Sequence, residues 1–432
     1  MGEVTLRFYG GVEGEIGGNQ ILLQDGGTQA LLDFGYNFSR WREYFSFPTS
    51  MPKSLDEYFE VGLLPKELRE RESGRISREI GDCLITHAHT DHWRGIPALA
   101  PGDEGGPTVH LGETAHRIVM MRGEKLRGCD SLSHLRFETF RTGKKIRLGD
   151  LEIVPFHVDH SIPGAYALLI HTSQGLVVYT GDLRLHGSYS RRMREQFWET
   201  LEGEPVEALI CEGTSVGEMH LVLTERDVQR LGKRYVQASP GLVLVNLSPL
   251  DVDRLRTFHR IAELTGRRLI ATSNFMECLE VLEEEPGLDL PSQTRGEISE
   301  YGEEEQGDLR RSPSEYILLT AFYRWKEIQE VQPPPGSVFI LSTSEPFEEE
   351  AEIEFRRLMN WLNIYGIQAT QLHTSGHAFP EDLRRIVDLV EPKRLIPVHT
   401  AYPSSFGKLV SDILSEKHIE FIEPKRGQTY KI

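Results

Sequence analysis

The feature that most constrains this chain is a cluster of metal-binding side chains directly behind an apolar run. Residues 83–92 read CLITHAHTDH, which places His87, His89, Asp91 and His92 after a stretch typical of a buried strand. Imidazole and carboxylate groups this close together on one loop are good ligands for zinc or a similar divalent cation. The pattern therefore predicts part of a metal site at the end of a strand.

Further candidate metal ligands lie in other segments of the chain, since one loop rarely completes a metal site. Short apolar runs end in Asp33, Asp182, Glu212 and His399, and His160 lies in VDHSIPG before a turn. Reactive side chains collect at strand ends in α/β proteins, where loops vary over a rigid sheet. With His160, Asp182 and His399 added, the ligands suffice for two cations that share a carboxylate.

The middle of the chain alternates between strand and helix patterns. Residues 241–246 and 268–273 predict strands, and residues 251–268 predict a helix with Gly266 at its C-terminal cap. This alternation predicts that residues from about 214 to 340 form a small α/β domain of their own.

Charge argues against a nucleic-acid partner at first sight. The 432 residues carry a net charge of −18, and a length of this order indicates two or three domains. The charge is uneven, however, since residues 277–308 hold twelve acidic residues and one basic residue, as in a solvated, mobile insertion. Basic clusters at 122–128, 141–147 and 190–194 are typical of a wet surface.

The sequence also indicates a compartment. No apolar run has the length of a membrane-spanning helix, and MGEVTLRFYG lacks the features of a secretory signal. The four cysteines are scattered and form no CxxC pair. We therefore expect a cytoplasmic protein without a membrane partner.

Taken together, the motifs resemble those of the metallo-β-lactamase superfamily. The likeness rests on THAHTDH, DHSIPG, YTGD and VHTAY, and GGVEGEIGGN, ICEGT, LSTSEP and HTSGHA narrow it to the β-CASP nucleases, most similar to the ribonuclease J group. It covers nearly the whole chain and is weakest from about 275 to 335. It implies an αββα metallo-β-lactamase sandwich of residues 1–212 and 340–432, an inserted α/β β-CASP domain at 213–339, and substrate in the cleft between them.

The resemblance also implies a role for each ligand. His87, His89 and His160 hold one divalent cation, Asp91, His92 and His399 hold a second, and Asp182 bridges the two. Histidine-rich ligation suits zinc, with manganese or magnesium as alternatives.

Further side chains are implied to assist these ligands. Asp33 orders the histidine loop, although a strand-end aspartate that caps a turn is the alternative. Glu212 orients His377, which protonates the leaving oxygen, and a buried structural carboxylate is the alternative for Glu212.

Two stretches of small and polar residues are candidates for binding the substrate phosphate. They contribute Ser342, Ser344, His373, Ser375 and Gly376, and a serine-rich turn is the alternative for the first two. Phe379 and Gly164 depart from the family pattern, which puts recognition of a 5′-monophosphate in doubt.

The resemblance implies metal-assisted hydrolysis of RNA by an activated hydroxide, as a 5′–3′ exonuclease, an endonuclease or both. His399 favours RNA over single-stranded DNA, so that a β-CASP DNA nuclease is the main alternative. A hydrolase of a small ester or thioester and a scaffold without activity are the others. Compared with bacterial ribonuclease J, we expect no C-terminal domain, and a homodimer is not indicated either way.

Overall fold

The computed structural model describes the chain except for residues 1–2, 47–48, 127, 202, 218–222, 284, 286–287, 322–323 and 344–348. The described strands are β1 (Val4–Gly10), β2 (Gln20–Asp25), β3 (Thr28–Phe34), β4 (Asp82–Ile85), β5 (Thr108–Gly112), β6 (Arg136–Phe140), β7 (Ile146–Leu148), β8 (Leu151–Val158), β9 (Ala165–Thr172), β10 (Gly175–Tyr179), β11 (Val206–Glu212), β12 (Val243–Asn246), β13 (Arg268–Ala271), β14 (Ser299–Glu300), β15 (Tyr316–Thr320), β16 (Val338–Leu341), β17 (Gln368–Gln371), β18 (Arg394–Val398), β19 (Glu420–Phe421) and β20 (Thr429–Lys431).

The described α-helices are α1 (Phe38–Tyr44), α2 (Leu55–Glu60), α3 (Thr90–Trp93), α4 (Glu113–Gly123), α5 (Ser190–Leu201), α6 (Glu225–Ala238), α7 (Val252–Thr265), α8 (Ser273–Leu282), α9 (Glu303–Arg311), α10 (Lys326–Val331), α11 (Glu349–Ile364), α12 (Pro380–Val390), α13 (Pro403–Leu409) and α14 (Ser411–Glu416). The elements divide into two compact units. The first unit comprises Met1–Leu185, Tyr189–His220 and Gly376–Ile432, and the second comprises His186–Ser188 and Leu221–Ser375.

Two mixed sheets form the centre of the first unit. Their strand orders are β20-β1-β2-β3-β4-β5-β6 and β19-β18-β11-β10-β9-β8-β7. Alternate residues of β1, such as Leu6 and Phe8, share one buried cluster with Ile170 and Val177 of the other sheet. An apolar layer between two sheets is the core of a sandwich.

Helices cover the outer face of the second of these sheets. Leu383, Ile386 and Val387 of α12 form one apolar face, and they join Phe197 of α5 and Leu209 of β11 in a second buried cluster. On the other sheet, α4 packs against β5 and β6. The layers are therefore helix, sheet, sheet, helix, and the predicted αββα sandwich is confirmed.

The second unit is built around a parallel sheet with the order β14-β13-β15-β12-β16-β17. Helices α6, α7 and α8 pack their apolar faces on one side, and α9, α10 and α11 pack theirs on the other. Helix α7 ends at Gly266, which has a φ of +67°, as expected of a C-terminal glycine cap.

The sheet of the second unit extends past the boundary that the sequence indicates at residue 339. Strands β16 and β17 continue this sheet, so the compact unit ends at Ser375. The acidic stretch 277–308 also belongs to this fold. Helix α9 begins within it at Glu303, and Leu279 and Ile298 bury their side chains in a cluster beside the sheet. The expectation of a mobile insertion is therefore wrong for the described part of this stretch.

In the described part of the chain, no helix combines the length and the apolar character needed to span a bilayer.

Candidate metal centre

The first unit brings the predicted metal ligands together at the ends of its strands. His87 and His89 follow β4, and Asp91 and His92 lie in the short helix α3 that comes next. The other three ligands, His160, Asp182 and His399, follow β8, β10 and β18. Because these strands end at one edge of the sandwich, loops distant in sequence converge there.

One group of ligands surrounds a small space. His89 Nδ1 lies 3.1 Å from His87 Nε2 and 3.0 Å from His160 Nε2. Asp182 Oδ2 lies 3.6 Å from His87 Nε2. These four side chains offer ligand atoms that all lie within 4.8 Å of one another.

A second group lies beside the first. Asp91 Oδ2 is 3.2 Å from His399 Nε2 and 3.6 Å from His92 Nε2. Asp182 Oδ2 is 3.2 Å from His92 Nε2 and 3.6 Å from His399 Nε2, so that this carboxylate reaches both groups. These two groups are the ones that the family resemblance implies, and Asp182, His377 and His399 form a third group that overlaps them.

In three of these histidines, the ring nitrogen that points away from the cluster lies within hydrogen-bond distance of another protein group. His92 Nδ1 donates to Asp33 Oδ2 at 2.8 Å, and His160 Nδ1 donates to the carbonyl oxygen of Gly376 at 2.5 Å. His87 Nδ1 lies 3.1 Å from the hydroxyl of Thr86. With the proton on the outer nitrogen, each ring turns a lone pair towards the cluster.

Two atoms at the centre of the cluster support a cation. Among the residues that the structure describes, His92 Nε2 and Asp182 Oδ1 are buried without a hydrogen-bond partner, which is costly for polar atoms in an uncharged interior. The ligand separations of 3.0 to 3.6 Å match the edges of a tetrahedron with bonds of roughly 2.0 Å. The site therefore fits a divalent cation, in agreement with the sequence.

Protonation states favour binding of a cation. Burial lowers the pKa of His87, His89 and His160, to about 3 for His89. Burial raises the pKa of Asp182, but the charges of neighbouring histidines outweigh it and lower that pKa. Burial also lowers the pKa of His92, yet the surrounding carboxylates outweigh it and raise that pKa, so a bound cation would replace the proton on His92 Nε2.

Asp33 forms hydrogen bonds with residues at both ends of the histidine loop, namely Thr86 and His92. Its carboxylate accepts hydrogen bonds from the backbone N–H and hydroxyl of Thr86, and from the hydroxyl of Tyr179 at 2.6 Å. The amide of Asn19 donates to the Tyr179 hydroxyl in turn. Asp33 has a φ of +52°, a left-handed conformation that is uncommon outside glycine and often marks functional sites.

Glu212 and His377 form a pair beside the second group of ligands. His377 Nδ1 lies 3.3 Å from Glu212 Oε1. Burial lowers the pKa of His377, but the charge and the hydrogen bond of Glu212 raise it to about 9. Burial raises the pKa of Glu212, whereas the charge of His377 lowers it. The pair is therefore an imidazolium beside a carboxylate at neutral pH.

Two glycines allow close packing around Asp91. A Cβ on Gly35 would lie 1.7 Å from the carbonyl oxygen of Asp91, and a Cβ on Gly17 would lie 2.4 Å from its Oδ2. Gly17 also has a φ of +77°, which favours glycine. The glycine-rich GGVEGEIGGN segment and Gly35 thus support the ligand loop.

We expect Gly35→Ala to destabilise the protein by about 1–3 kcal/mol, the usual cost of overpacking. The clash would displace the backbone of Asp91 and His92, so bound metal should also decrease. Urea unfolding and elemental analysis measure both effects. Gly27→Ala is the control, since a Cβ at Gly27 meets nothing within 4 Å. Equal stability and metal content in the two variants would contradict the expectation.

The candidate phosphate-binding residues have different surroundings. The Ser342 hydroxyl is buried in the second unit, where it donates to the carbonyl of Leu372 at 2.7 Å and accepts from Arg254 at 2.7 Å. His373 Nδ1 lies 3.3 Å from the same guanidinium. Ser342 is thus engaged in holding the second unit together.

The carbonyl of Ser375 accepts a hydrogen bond from His186, whereas that of Gly376 faces His160 in the first unit. Ser344 lies outside the described residues. The two departures from the family pattern have structural reasons, because Phe379 is buried before α12 and Gly164 has a φ of +77°.

Sequence reasoning overlooked several residues around the ligands. Thr86 and Thr214 contact ligand histidines, while Tyr179 and Asn19 hold Asp33. Both threonines could have been found by their closeness in sequence to candidate site residues, since Thr86 precedes His87 and Thr214 lies two residues after Glu212.

Comparison with known proteins agrees with this geometry. Residues 67–236 match the beta-lactamase superfamily domain, and residues 366–419 match the Zn-dependent metallo-hydrolase RNA specificity domain. A crystal structure described as a protein of unknown function from Enterococcus faecalis V583 covers the whole of both chains with a TM-score of 0.77 and 24% identity, which shows the shared fold.

Two relatives are named ribonuclease J. That of Sinorhizobium meliloti is 27% identical over 337 residues, which cover 74% of this chain and 58% of the relative. That of Pyrococcus abyssi is 22% identical over 430 residues, which cover 92% of this chain and 89% of the relative. This chain thus spans little more than half the length of the first relative.

The sandwich, the ligand cluster and these matches define a metal-binding hydrolase fold. Residues 67–236 thus form a domain similar to those of the beta-lactamase superfamily. Over 74–92% of its length, the chain is similar to proteins named ribonuclease J.

Proposed function

We propose that the protein is a metal-dependent ribonuclease that hydrolyses phosphodiester bonds. The observation that carries this proposal is the cluster of seven ligands beside the Glu212–His377 pair. A cation site next to a protonated imidazole supplies what hydrolysis of a phosphodiester needs, namely charge stabilisation and an acid for the leaving oxygen.

The proposal includes two divalent cations, most simply zinc. His87, His89 and His160 would hold one, Asp91, His92 and His399 the other, and Asp182 both. When bound, such cations lower the pKa of water and offset the charge of a phosphate. Manganese or magnesium are the alternatives to zinc, because metal choice also depends on availability.

The residues of the chain would orient the substrate and move the proton. Glu212 engages His377 Nδ1, so the proton given to the leaving 3′ oxygen is the one on Nε2. The product would then carry a 5′-phosphate. The side chains of His377 and Asp91 are 22% and 21% exposed, whereas most of the other ligands are fully buried, so substrate would approach from their side.

RNA is the substrate that the similarities favour. The segment that matches an RNA specificity domain includes both His377 and His399. Its likeness supports RNA over DNA, while cleavage from the 5′ end and internal cleavage are equally compatible with the site. We also propose a cytoplasmic location, which the scattered spacing of the four cysteines supports.

An end-group experiment tests the substrate and the mode of cleavage. RNA labelled at the 3′ end and bearing a 5′-monophosphate, 5′-triphosphate or 5′-hydroxyl is incubated with the protein, next to single-stranded DNA of the same sequence. We expect the RNA to be cleaved and the DNA to remain largely intact. Stepwise shortening from the monophosphate end would establish a 5′ exonuclease, and internal fragments from all three RNAs an endonuclease.

The same preparation separates the alternative functions. Preferred cleavage of DNA would identify a DNA nuclease instead. Hydrolysis of a thioester or a β-lactam without cleavage of either nucleic acid would identify a small-molecule hydrolase. No cleavage of any of them by metal-loaded protein would indicate a scaffold.

A further inference from the structure

The hydroxyl of Thr214 lies between the acid pair and the second group of ligands. Thr214 Oγ1 is 2.6 Å from Glu212 Oε2, 2.9 Å from His399 Nδ1 and 3.1 Å from His377 Nδ1. The backbone N–H of Thr214 also donates to Glu212 Oε2, at 3.0 Å. All four residues belong to the first unit.

A hydroxyl carries one proton, which fixes the direction of these hydrogen bonds. Two acceptors lie near this proton, namely the Glu212 carboxylate at 2.6 Å and the carbonyl oxygen of His399 at 3.3 Å. The nearer, ionised acceptor makes the stronger hydrogen bond, so Thr214 donates to Glu212. Its oxygen is then an acceptor for His399, and the proton of that ring lies on Nδ1. His399 Nε2 therefore carries a lone pair and faces Asp91 and Asp182.

The same arrangement occurs on the other side of the cluster. The Thr86 hydroxyl donates to Asp33 and lies 3.1 Å from His87 Nδ1. In both places, a carboxylate receives the threonine proton, and the threonine oxygen receives the histidine proton. His399 also needs firm support because its φ of +53° is a left-handed conformation.

We propose that Thr214 is a positioning residue for cation binding at His399 and that Glu212 acts through it. Glu212 then serves two histidines, orienting His377 directly and setting the tautomer of His399 by way of the Thr214 hydroxyl. This inference rests on the proposed function, since it assigns His399 to a cation site. It links the cation site and the acid pair through a single hydroxyl.

Thr214→Val and Thr214→Ser test the role of the hydroxyl. For the wild type and each variant of the 432-residue chain, the affinity of each of the two sites for zinc is measured by competition with a chromogenic chelator. Loss of an outer partner of a ligand typically weakens metal binding about 10- to 100-fold. We expect Thr214→Val to weaken one of the two cations by that factor and leave the other nearly unchanged, while Thr214→Ser retains wild-type affinity.

Thr320→Val is the matched control. Thr320 is a buried threonine in β15 of the second unit whose hydroxyl also takes part in a hydrogen bond, and its replacement should leave both affinities unchanged. Wild-type affinities in Thr214→Val would overturn the proposal. Equal weakening in Thr214→Val and Thr214→Ser would overturn it too, because side-chain packing rather than the hydroxyl would then be the cause.

The readout separates this inference from the proposed function. If the wild-type protein binds two cations but does not cleave RNA, the proposed function fails. The loss of affinity in Thr214→Val would still be expected in that case. If RNA is cleaved and Thr214→Val binds both cations normally, only the inference about Thr214 fails.

Discussion

Replacement of Asp182 by asparagine should abolish RNA cleavage, with a loss in kcat of at least about 10²-fold, the size seen when one charge-stabilising group is removed. Asp182 Oδ2 lies within 3.6 Å of the Nε2 atoms of His87, His92 and His399. An uncharged amide at this position loses the negative charge that both groups of ligands share. Bound metal per chain should therefore decrease together with activity.

Single-turnover cleavage and elemental analysis measure these two effects. Asp412→Asn is the matched control, because Asp412 is an exposed aspartate that pairs with Arg384 on the surface. Metal content and cleavage rates like those of the wild type in Asp182→Asn would show that Asp182 holds no cation.

Replacement of Glu212 by glutamine should move the alkaline limit of cleavage to lower pH. His377 acts as an acid only while it is protonated, so activity is present below its pKa and is lost as pH rises through it. Glu212 raises that pKa to about 9. Glutamine lacks the charge, so the pKa should fall towards the ordinary histidine value of about 6.5. The rate at pH 8 should drop by about 30-fold, because the protonated fraction of His377 falls from about 0.9 to about 0.03.

A substrate with a better leaving group provides the control for the assignment of His377 as the general acid. Bis(p-nitrophenyl) phosphate releases a stable phenolate that needs little help from an acid. With zinc in excess to keep the cation sites filled, Glu212→Gln and His377→Ala should therefore cleave it at rates much closer to those of the wild type than they cleave RNA. Equal losses on both substrates would mean that His377 does not protonate the leaving oxygen. An unshifted pH profile in Glu212→Gln would mean that Glu212 does not set the pKa of His377.

The candidate metal ligands can be predicted from the sequence because each lies either in one short loop or just after a recognisable strand. His87, His89, Asp91 and His92 lie in one loop, and Asp182 and His399 directly follow strands. Strand ends meet at the edge of a sheet, so grouping these residues required only that the strands be recognised. The αββα sandwich is predicted from the family resemblance, because strand patterns alone do not give the order of the layers.

The supporting hydrogen bonds could not be predicted, because they depend on which strands become neighbours. Tyr179 reaches Asp33 from a position 146 residues away, and Thr214 reaches His399 across 185 residues. Hydrophobic periodicity in the sequence does not reveal which distant residues form such hydrogen-bonded pairs. Ser342 illustrates the same limit. A serine-rich stretch is compatible with phosphate binding, but its hydroxyl points into the second unit towards Arg254 and Leu372.

The end of the inserted domain is a further example. The apolar pattern of β16 identifies a strand near residue 340, but the pattern does not say which sheet the strand joins. Pairing with β12 assigns it to the second unit, which therefore extends to Ser375.

The central claim is that the seven-ligand cluster hydrolyses RNA with the help of divalent cations. The most direct test strips the protein with a chelator and measures cleavage of one 5′-monophosphorylated RNA before and after zinc or manganese is returned. The account predicts no cleavage by the stripped protein and restored cleavage after addition, with no restoration in Asp182→Asn. Full cleavage of the RNA by metal-free protein would contradict it.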